Sequence, residues 1–280
     1  MTMNRRAFIA GAGGVMAMSG LGMTAMARAA RVRAVGLQLY TVRELFAKDP
    51  VGTLGKVARI GYREVEFGGG NYDTMDHAKL RKTMDRLQLR APSAHVPYET
   101  LDKDFAAAVK MVKTLGAQTI VLPWLAEDQR TDAGFGGVIS GMNRFAAQAR
   151  EEGLGFAYHN HDFEFLTQSG GKTLYDRLLG ETDPALVKME LDLYWAIHAG
   201  ADAARLIDRL SGRLYAFHVK DMKKDGSMAA VGAGTIDFAA LFKLPGASGV
   251  EHFYVENDKA PAPYIPDITT SFRNLSALRF

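Results

Sequence analysis

Between Tyr158 and Phe165 the chain reads YHNHDFEF, which places His159, His161, Asp162 and Glu164 within one short stretch, in a chain that has seven histidines in all. Imidazoles and carboxylates are the donors that hold hard or borderline divalent ions, and they are also the groups that move protons near neutral pH. Two residues separated by one share a face of an extended strand, so His159 and His161 are expected to point the same way. The same spacing recurs at Glu64 and Glu66, at Glu190 and Asp192, and at His218 and Lys220, with Asp221 directly after; His95 and Glu256 stand singly. There is no cysteine, which excludes disulfides, thiolate metal sites and cysteine nucleophiles.

These residues fall at the ends of strand-like runs. The runs are 34–40, 63–67, 90–96, 117–123, 154–160, 186–192, 213–219 and 252–257. Between them the apolar spacing predicts helices over 50–60, 76–88, 102–115, 136–152, 172–180, 200–210, 237–243 and 266–278. Asp102 and Asp237 are the expected caps of two of these, and Gly61, Gly116 and Gly153 lie just past helix ends. Eight β/α units over residues 30–280 predict a single α/β domain, an eight-stranded parallel (β/α) TIM barrel. An open doubly wound sheet is the rival, but LQLYTVRE follows the first strand where a glycine-rich phosphate turn would be expected.

In a barrel of this kind chemistry sits at the carboxyl ends of the strands, where Glu66, His95, His159, His161, Asp192, His218, Lys220 and Glu256 would converge. Such a mixed nitrogen and oxygen donor set suits one divalent metal ion, whether Mn, Co, Zn or Mg. Glu190 reads as a buried acid, paired with Lys188 or Lys220 if register allows. His77, His198 and His252 read as solvated. Tyr40, Trp124 and Trp195 lie near the expected mouth, where sugars stack on aromatic rings, and with His95 they form the expected substrate-binding set.

Taken in order, QLYTVRE, YHNHDFEF, ELDLYW, FHVKD, VGAGTIDF and VEND resemble the sugar phosphate isomerase/epimerase group of the xylose isomerase-like TIM barrels, over essentially residues 34–280. The resemblance implies one divalent metal held at the ends of strands five to eight, which places the ligands on His159, Asp192, His218 and Glu256. The chain departs from that pattern at His159, where relatives carry a glutamate that also transfers protons, and at Trp195, where the ketose epimerases carry a substrate-binding histidine.

A metal that coordinates a sugar carbonyl and its neighbouring hydroxyl assists removal of the proton between them. Return of the proton to the other carbon isomerises, return to the opposite face epimerises, and loss of a β-substituent eliminates. The expected base is His161 or Glu256, with Glu66 and His95 as further candidates and Lys220 orienting or protonating an oxygen. Two readings stand: a metal-dependent sugar isomerase or epimerase, and a lyase that releases the aglycone of a 3-ketoglycoside. A non-catalytic sugar-binding protein and a metal-dependent endonuclease of similar fold are the other classes.

Residues 1–29 have their own character. Asn4-Arg5-Arg6-Ala7-Phe8-Ile9 precedes a stretch of Ala, Gly and Met, and Ala27-Arg28-Ala29 gives a small-x-small cleavage pattern. This predicts a twin-arginine signal peptide, export to the periplasm, and no stable membrane anchor after cleavage. The full chain carries a formal charge of +3, with 34 basic against 31 acidic side chains; the segment contains Arg5, Arg6 and Arg28 and no acid, so the mature chain is near neutral. That balance speaks against a nucleic-acid partner and for a small-molecule sugar or glycoside, which in the periplasm would be unphosphorylated. A homo-oligomer is left open.

Overall fold

The computed structural model describes residues 30–280; residues 1–29, where the sequence predicts a signal peptide, lie outside the described residues. Eight strands form one parallel sheet: β1 (Val35–Gln38), β2 (Glu64–Glu66), β3 (Ser93–His95), β4 (Thr119–Leu122), β5 (Gly155–His159), β6 (Val187–Asp192), β7 (Leu214–Val219) and β8 (His252–Val255). Each strand pairs with its sequence neighbours except at β2 and β3, and β8 returns to β1. The sheet closes between β2 and β3 through isolated bridges at Glu64–Arg90 and Phe67–Ala94, with His95 N–H donating to the Phe67 carbonyl at 2.8 Å. This is the expected TIM barrel.

Strand alternation divides the side chains into two layers. Leu37, Val65, Ala94, Ile120, Phe156, Leu191, Phe217 and Phe253 join one continuous apolar core shared with the surrounding helices. Their neighbours Glu66, Ser93, His95, His159, Glu190 and His218 are also buried, and they are polar. The helical shell holds the barrel shut, while the barrel axis is a column of hydrogen-bonding groups.

The helices largely follow the sequence reading, with one correction. The helix expected over 102–115 is broken into Tyr98–Lys103 and Phe105–Leu115, and Asp104, not Asp102, caps the second piece by accepting from Ala107 N–H at 2.9 Å. Asp104 has the non-helical backbone of a cap, whereas Asp102 is inside a helix. Asp237 caps Phe238–Phe242 as expected, accepting from Ala240 N–H at 3.0 Å. Short helical turns that the periodicity did not indicate follow the strand ends, including Phe163–Leu166 after β5 and Leu193–His198 after β6. They are too short for a 3.6-residue period to register.

Two irregularities set the register that the site depends on. Met189 pairs with Leu214 but Glu190 pairs with Ala216, so Tyr215 is one extra residue in β7, a bulge that brings His218 opposite Asp192. On β1, Gly36 sits beside Tyr254, whose ring fills the space a side chain at position 36 would need. Gly36→Ala should therefore destabilise the barrel by about 1–3 kcal/mol through overpacking. A melting temperature lowered by several degrees in calorimetry is the expected result, and a shift below about 1 °C would show that Tyr254 yields freely.

Candidate active site

At the carboxyl end of the barrel lies a cavity of about 680 Å³, walled by His95, His159, His161, Trp195, Lys220 and Glu256 and rimmed by Tyr40 and Trp124. His159, Asp192, His218 and Glu256 each bring one donor atom to its floor, all within 4.8 Å of one another. His95, His159, Glu190 and His218 form a second, overlapping group that meets the same distance condition. His218 is the hub of both. One ring nitrogen, Nδ1, lies 2.7 Å from Glu256 Oε2 and 4.0 Å from Asp192 Oδ2; the other, Nε2, lies 2.8 Å from Glu66 Oε2 and 3.0 Å from Glu190 Oε2.

The electrostatics follow from burial and crowding. Desolvation disfavours the charged form of His218, but Glu190 and Glu256 outweigh it and raise its pKa well above the usual imidazole value. His95 behaves alike: burial pulls it down, Glu66 and Glu190 pull it up, and the result is about 9. Burial raises Glu256, yet Lys220 and His218 hold its carboxyl well below the usual range. His159 differs, because burial and the neighbouring cationic groups lower it well below its ordinary value, which leaves a neutral ring with a free lone pair. Burial pushes Asp192 up.

Several polar atoms in this floor have no hydrogen-bond partner among the described residues: His159 Nδ1, Asp192 Oδ2 and Glu190 Oε1. His159 Nδ1 is 3.2 Å from Glu190 Oε2, and Asp192 Oδ2 is 3.0 Å from Lys220 Nζ, but neither pair has hydrogen-bond geometry. Asp192, Glu256 and Asp258 thus surround the ammonium of Lys220, while Glu66 and Glu190 face His95 and His218. Excess buried negative charge beside a neutral imidazole and an orphaned carboxylate oxygen is the donor chemistry a divalent cation satisfies. With Nδ1 of His218 turned toward Asp192 and Glu256, its Nε2–H donates to Glu66 or Glu190, the arrangement that orients a metal-binding histidine from behind.

The other residues singled out in the sequence take distinct places. Glu66 lies beneath His95 and His218, its oxygens bonded by Gln38 Nε2 at 2.8 Å and by Ser93 Oγ, and it is not part of the cavity wall. His95 reaches the wall while bonding to Glu190 at 2.8 Å. Lys220 Nζ lies 3.0 Å from Asp192, 2.9 Å from Glu256 and 3.0 Å from Asp258. His161 stands between Trp124, 4.8 Å away edge-on, and Trp195, 5.5 Å away, with its Nδ1 unpartnered, as is Trp195 Nε1. Trp124 is 49% exposed and backed by the Arg130 guanidinium at 3.9 Å; Tyr40 is 39% exposed and backed by Arg43 at 4.2 Å.

Some expectations need correction. Glu190 pairs with neither Lys188 nor Lys220 but with His95 and His218, because Lys188 reaches the Pro184 and Gly212 carbonyls instead. His252 is partly buried and bonds to Glu64 at 3.0 Å near the opposite end of the barrel, where Arg90 also holds Glu64. Three supporting roles were not assigned from the sequence. Asn160 ties β5 to β6 by accepting from Asp192 N–H at 3.0 Å. Asp221 gathers the backbone N–H groups of Gly232, Gly234 and Ile236 within 3.2 Å, which accounts for VGAGTIDF, since a side chain at Gly234 would collide with the Asp221 carboxylate.

The third support is Glu164, fully buried behind β5, which accepts from Tyr158 Oη–H at 2.6 Å and from His161 N–H at 2.9 Å. Burial raises its pKa to about 8 in spite of both bonds. The folded state therefore binds a proton that the unfolded chain releases between about pH 4.5 and 8, so this group's contribution to stability falls as pH rises through that window. Glu164→Gln should gain on the wild type by on the order of 2–4 kcal/mol between pH 5 and pH 8. Urea unfolding of both proteins at the two pH values measures this, and a pH-independent difference would show that Glu164 is already ionised.

Comparison with known proteins agrees with this architecture. The description of the family "Xylose isomerase-like TIM barrel" matches residues 54–269. An inosose dehydratase of Clostridium beijerinckii is 23% identical over 251 residues, covering 75% of this chain and 82% of that protein. One from Geobacillus thermodenitrificans is 30% identical over 146 residues, 45% of this chain and 47% of that protein. Among solved structures, a sugar phosphate isomerase/epimerase from Parabacteroides distasonis superposes with a TM-score of 0.74 at 25% identity, over 87% of this chain and 94% of that one. A D-allulose 3-epimerase from Methylomonas sp. superposes with a TM-score of 0.64 at 14% identity, over 88% and 98%, a likeness of fold. The chain is a member of the xylose isomerase-like TIM barrel family.

Proposed function

We propose that the protein is a divalent-metal-dependent enzyme that removes the proton next to the carbonyl of an unphosphorylated keto-sugar or keto-cyclitol. The observation that carries this reading is the convergence of His159, Asp192, His218 and Glu256 beneath a cavity whose wall also holds His161 and Lys220. A divalent ion held by those four residues would act as a Lewis acid toward a carbonyl and the hydroxyl beside it. His161, whose pKa burial holds well below the usual imidazole value, takes the proton from carbon; the C–H electron pair forms a C=C bond and the carbonyl π pair moves onto the oxygen. Trp124 and Trp195 hold the ring of His161 in place for that transfer. Return of the proton completes isomerisation or epimerisation.

The acidic wall supports an unphosphorylated substrate. Asp73, Asp162, Glu256 and Asp258 line the cavity with Lys220 and Lys259, and Lys220 is already committed to three carboxylates. A second outcome, β-elimination, is favoured by Lys220, which can protonate a departing oxygen while the C–O bond breaks and a C=C bond forms, and by relatives named inosose dehydratase. A 3-ketoglycoside that loses its aglycone is one form of that elimination.

Asp192→Asn and His218→Ala should stay folded by circular dichroism, lose bound metal by elemental analysis, and lose roughly 100-fold or more activity. Activity is read by proton NMR in D₂O with metal-loaded protein and keto-sugars that include inosose and D-allulose. Deuterium at the carbon beside the carbonyl supports proton abstraction, and full exchange in either variant would sink the assigned site. Export is proposed on the Arg5-Arg6 segment. Protein recovered from the periplasmic fraction should have an intact mass that begins near Ala30, and an uncleaved mass there would count against it.

A further inference from the structure

The cavity has two halves, and the proton transfer draws on one of them. His159, His161, Trp195, Lys220 and Glu256 follow β5 to β8, whereas the wall that follows β1 to β4 includes Tyr40, Gly69, Val96, Pro97, Pro123 and Trp124. Apart from His95, that second wall contributes nothing to either group of metal-type donors. At about 680 Å³ the cavity is in the range that encloses a molecule of several rings, more than one keto-sugar fills. Among the described residues the large apolar side chains that stand exposed are Tyr40, Trp124 and Leu166, and the first two rim this second half. Because β1 and β4 flank β2 and β3 around the barrel, the two rings stand on either side of it.

Both rings are held in the same manner. The Arg43 guanidinium lies over Tyr40 and donates to the Tyr40 carbonyl at 2.8 Å, and the Arg130 guanidinium lies over Trp124 and donates to the Leu125 carbonyl at 2.7 and 2.9 Å. Tyr40 also rests against the bare backbone of Gly69, where a β-carbon would come within 2.7 Å of its Cδ2 and where the φ of 67° favours glycine. Rings fixed in this way can stack on a ligand with little further loss of rotamer freedom. Val96, Pro97 and Pro123 make the wall between them largely apolar. We propose that this half of the cavity is a subsite for a second, flat and uncharged ring, so that the substrate is a keto-glycoside whose cyclic substituent lies on Tyr40 and Trp124 while its keto-sugar ring lies over the donor floor.

This inference rests on the keto-sugar reading above, and the test separates the two. Metal-loaded wild type is compared on benzyl and methyl 3-ketoglucosides, whose leaving alcohols are similarly basic, and on inosose and D-allulose, by deuterium exchange beside the carbonyl and by release of the alcohol. The benzyl glycoside should exceed the methyl glycoside about 10-fold or more in kcat/KM, as expected for stacking on two aromatic side chains. Tyr40→Ala, folded by circular dichroism and with bound metal unchanged, should lower that ratio by about 3- to 10-fold, and Tyr40→Phe should keep it. Trp124→Ala should lower the ratio as well, while slowing both glycosides through His161. A wild-type ratio near one, a ratio that Tyr40→Ala leaves unchanged, or exchange on the free keto-sugars with neither glycoside accepted would overturn the subsite while the proposed function stands. A wild type inert toward all of these compounds would remove the proposed function and this inference with it.

Discussion

The arrangement of the barrel mouth is governed by one constraint, the accumulation of carboxylates where water is scarce. Glu66, Glu190, Asp192 and Glu256 lie around the single ring of His218, and an unpaired charge at that depth would be strongly destabilising. His218 answers it in two directions, with one nitrogen toward Asp192 and Glu256 and the other toward Glu66 and Glu190. Lys220 and His95 carry the rest. The upward pull on the two histidines expresses the same excess negative charge that makes the site suitable for a divalent cation.

Around that floor the supports are rigid and local. Asn160 locks β5 to β6, Asp192 caps the helix that presents Trp195, and Glu164 staples the turn that presents His161. Asp221 folds the loop after β7 against the mouth by collecting three backbone N–H groups. Each of these side chains satisfies backbone donors that a strand leaves bare as it turns into a helix. The side chains at the mouth are thereby held by hydrogen bonds in the layer behind them, which is how a strand-end site gains precision.

Much of this was legible in the chain. Strand runs and most helices follow from period-two alternation and apolar spacing, and the four residues whose donors converge follow from the order of the motifs and from the resemblance they carry. The break at Asp104 was missed because the apolar spacing runs through it without interruption. Glu190 was assigned to lysine partners because sequence spacing orders residues along a strand and is silent on which neighbour faces them across it. Asp258 and Glu164 lie within motifs the sequence displays, but their places were not legible: an acid a few residues past a strand looks alike whether it is solvated or walled in.

The sequence alone therefore determined the fold class, the strand-end position of the chemistry and the donor types available, because these depend on periodicity and residue identity. Only the tertiary structure decided which donors meet. Closure between β2 and β3 brings Glu66 to within 2.8 Å of His218, 152 positions away in the chain, and the extra residue at Tyr215 brings Asp192 opposite His218. Protonation was likewise a tertiary outcome: His159 and His218 are both fully buried, which lowers both, and only at His218 do neighbouring carboxylates outweigh that burial.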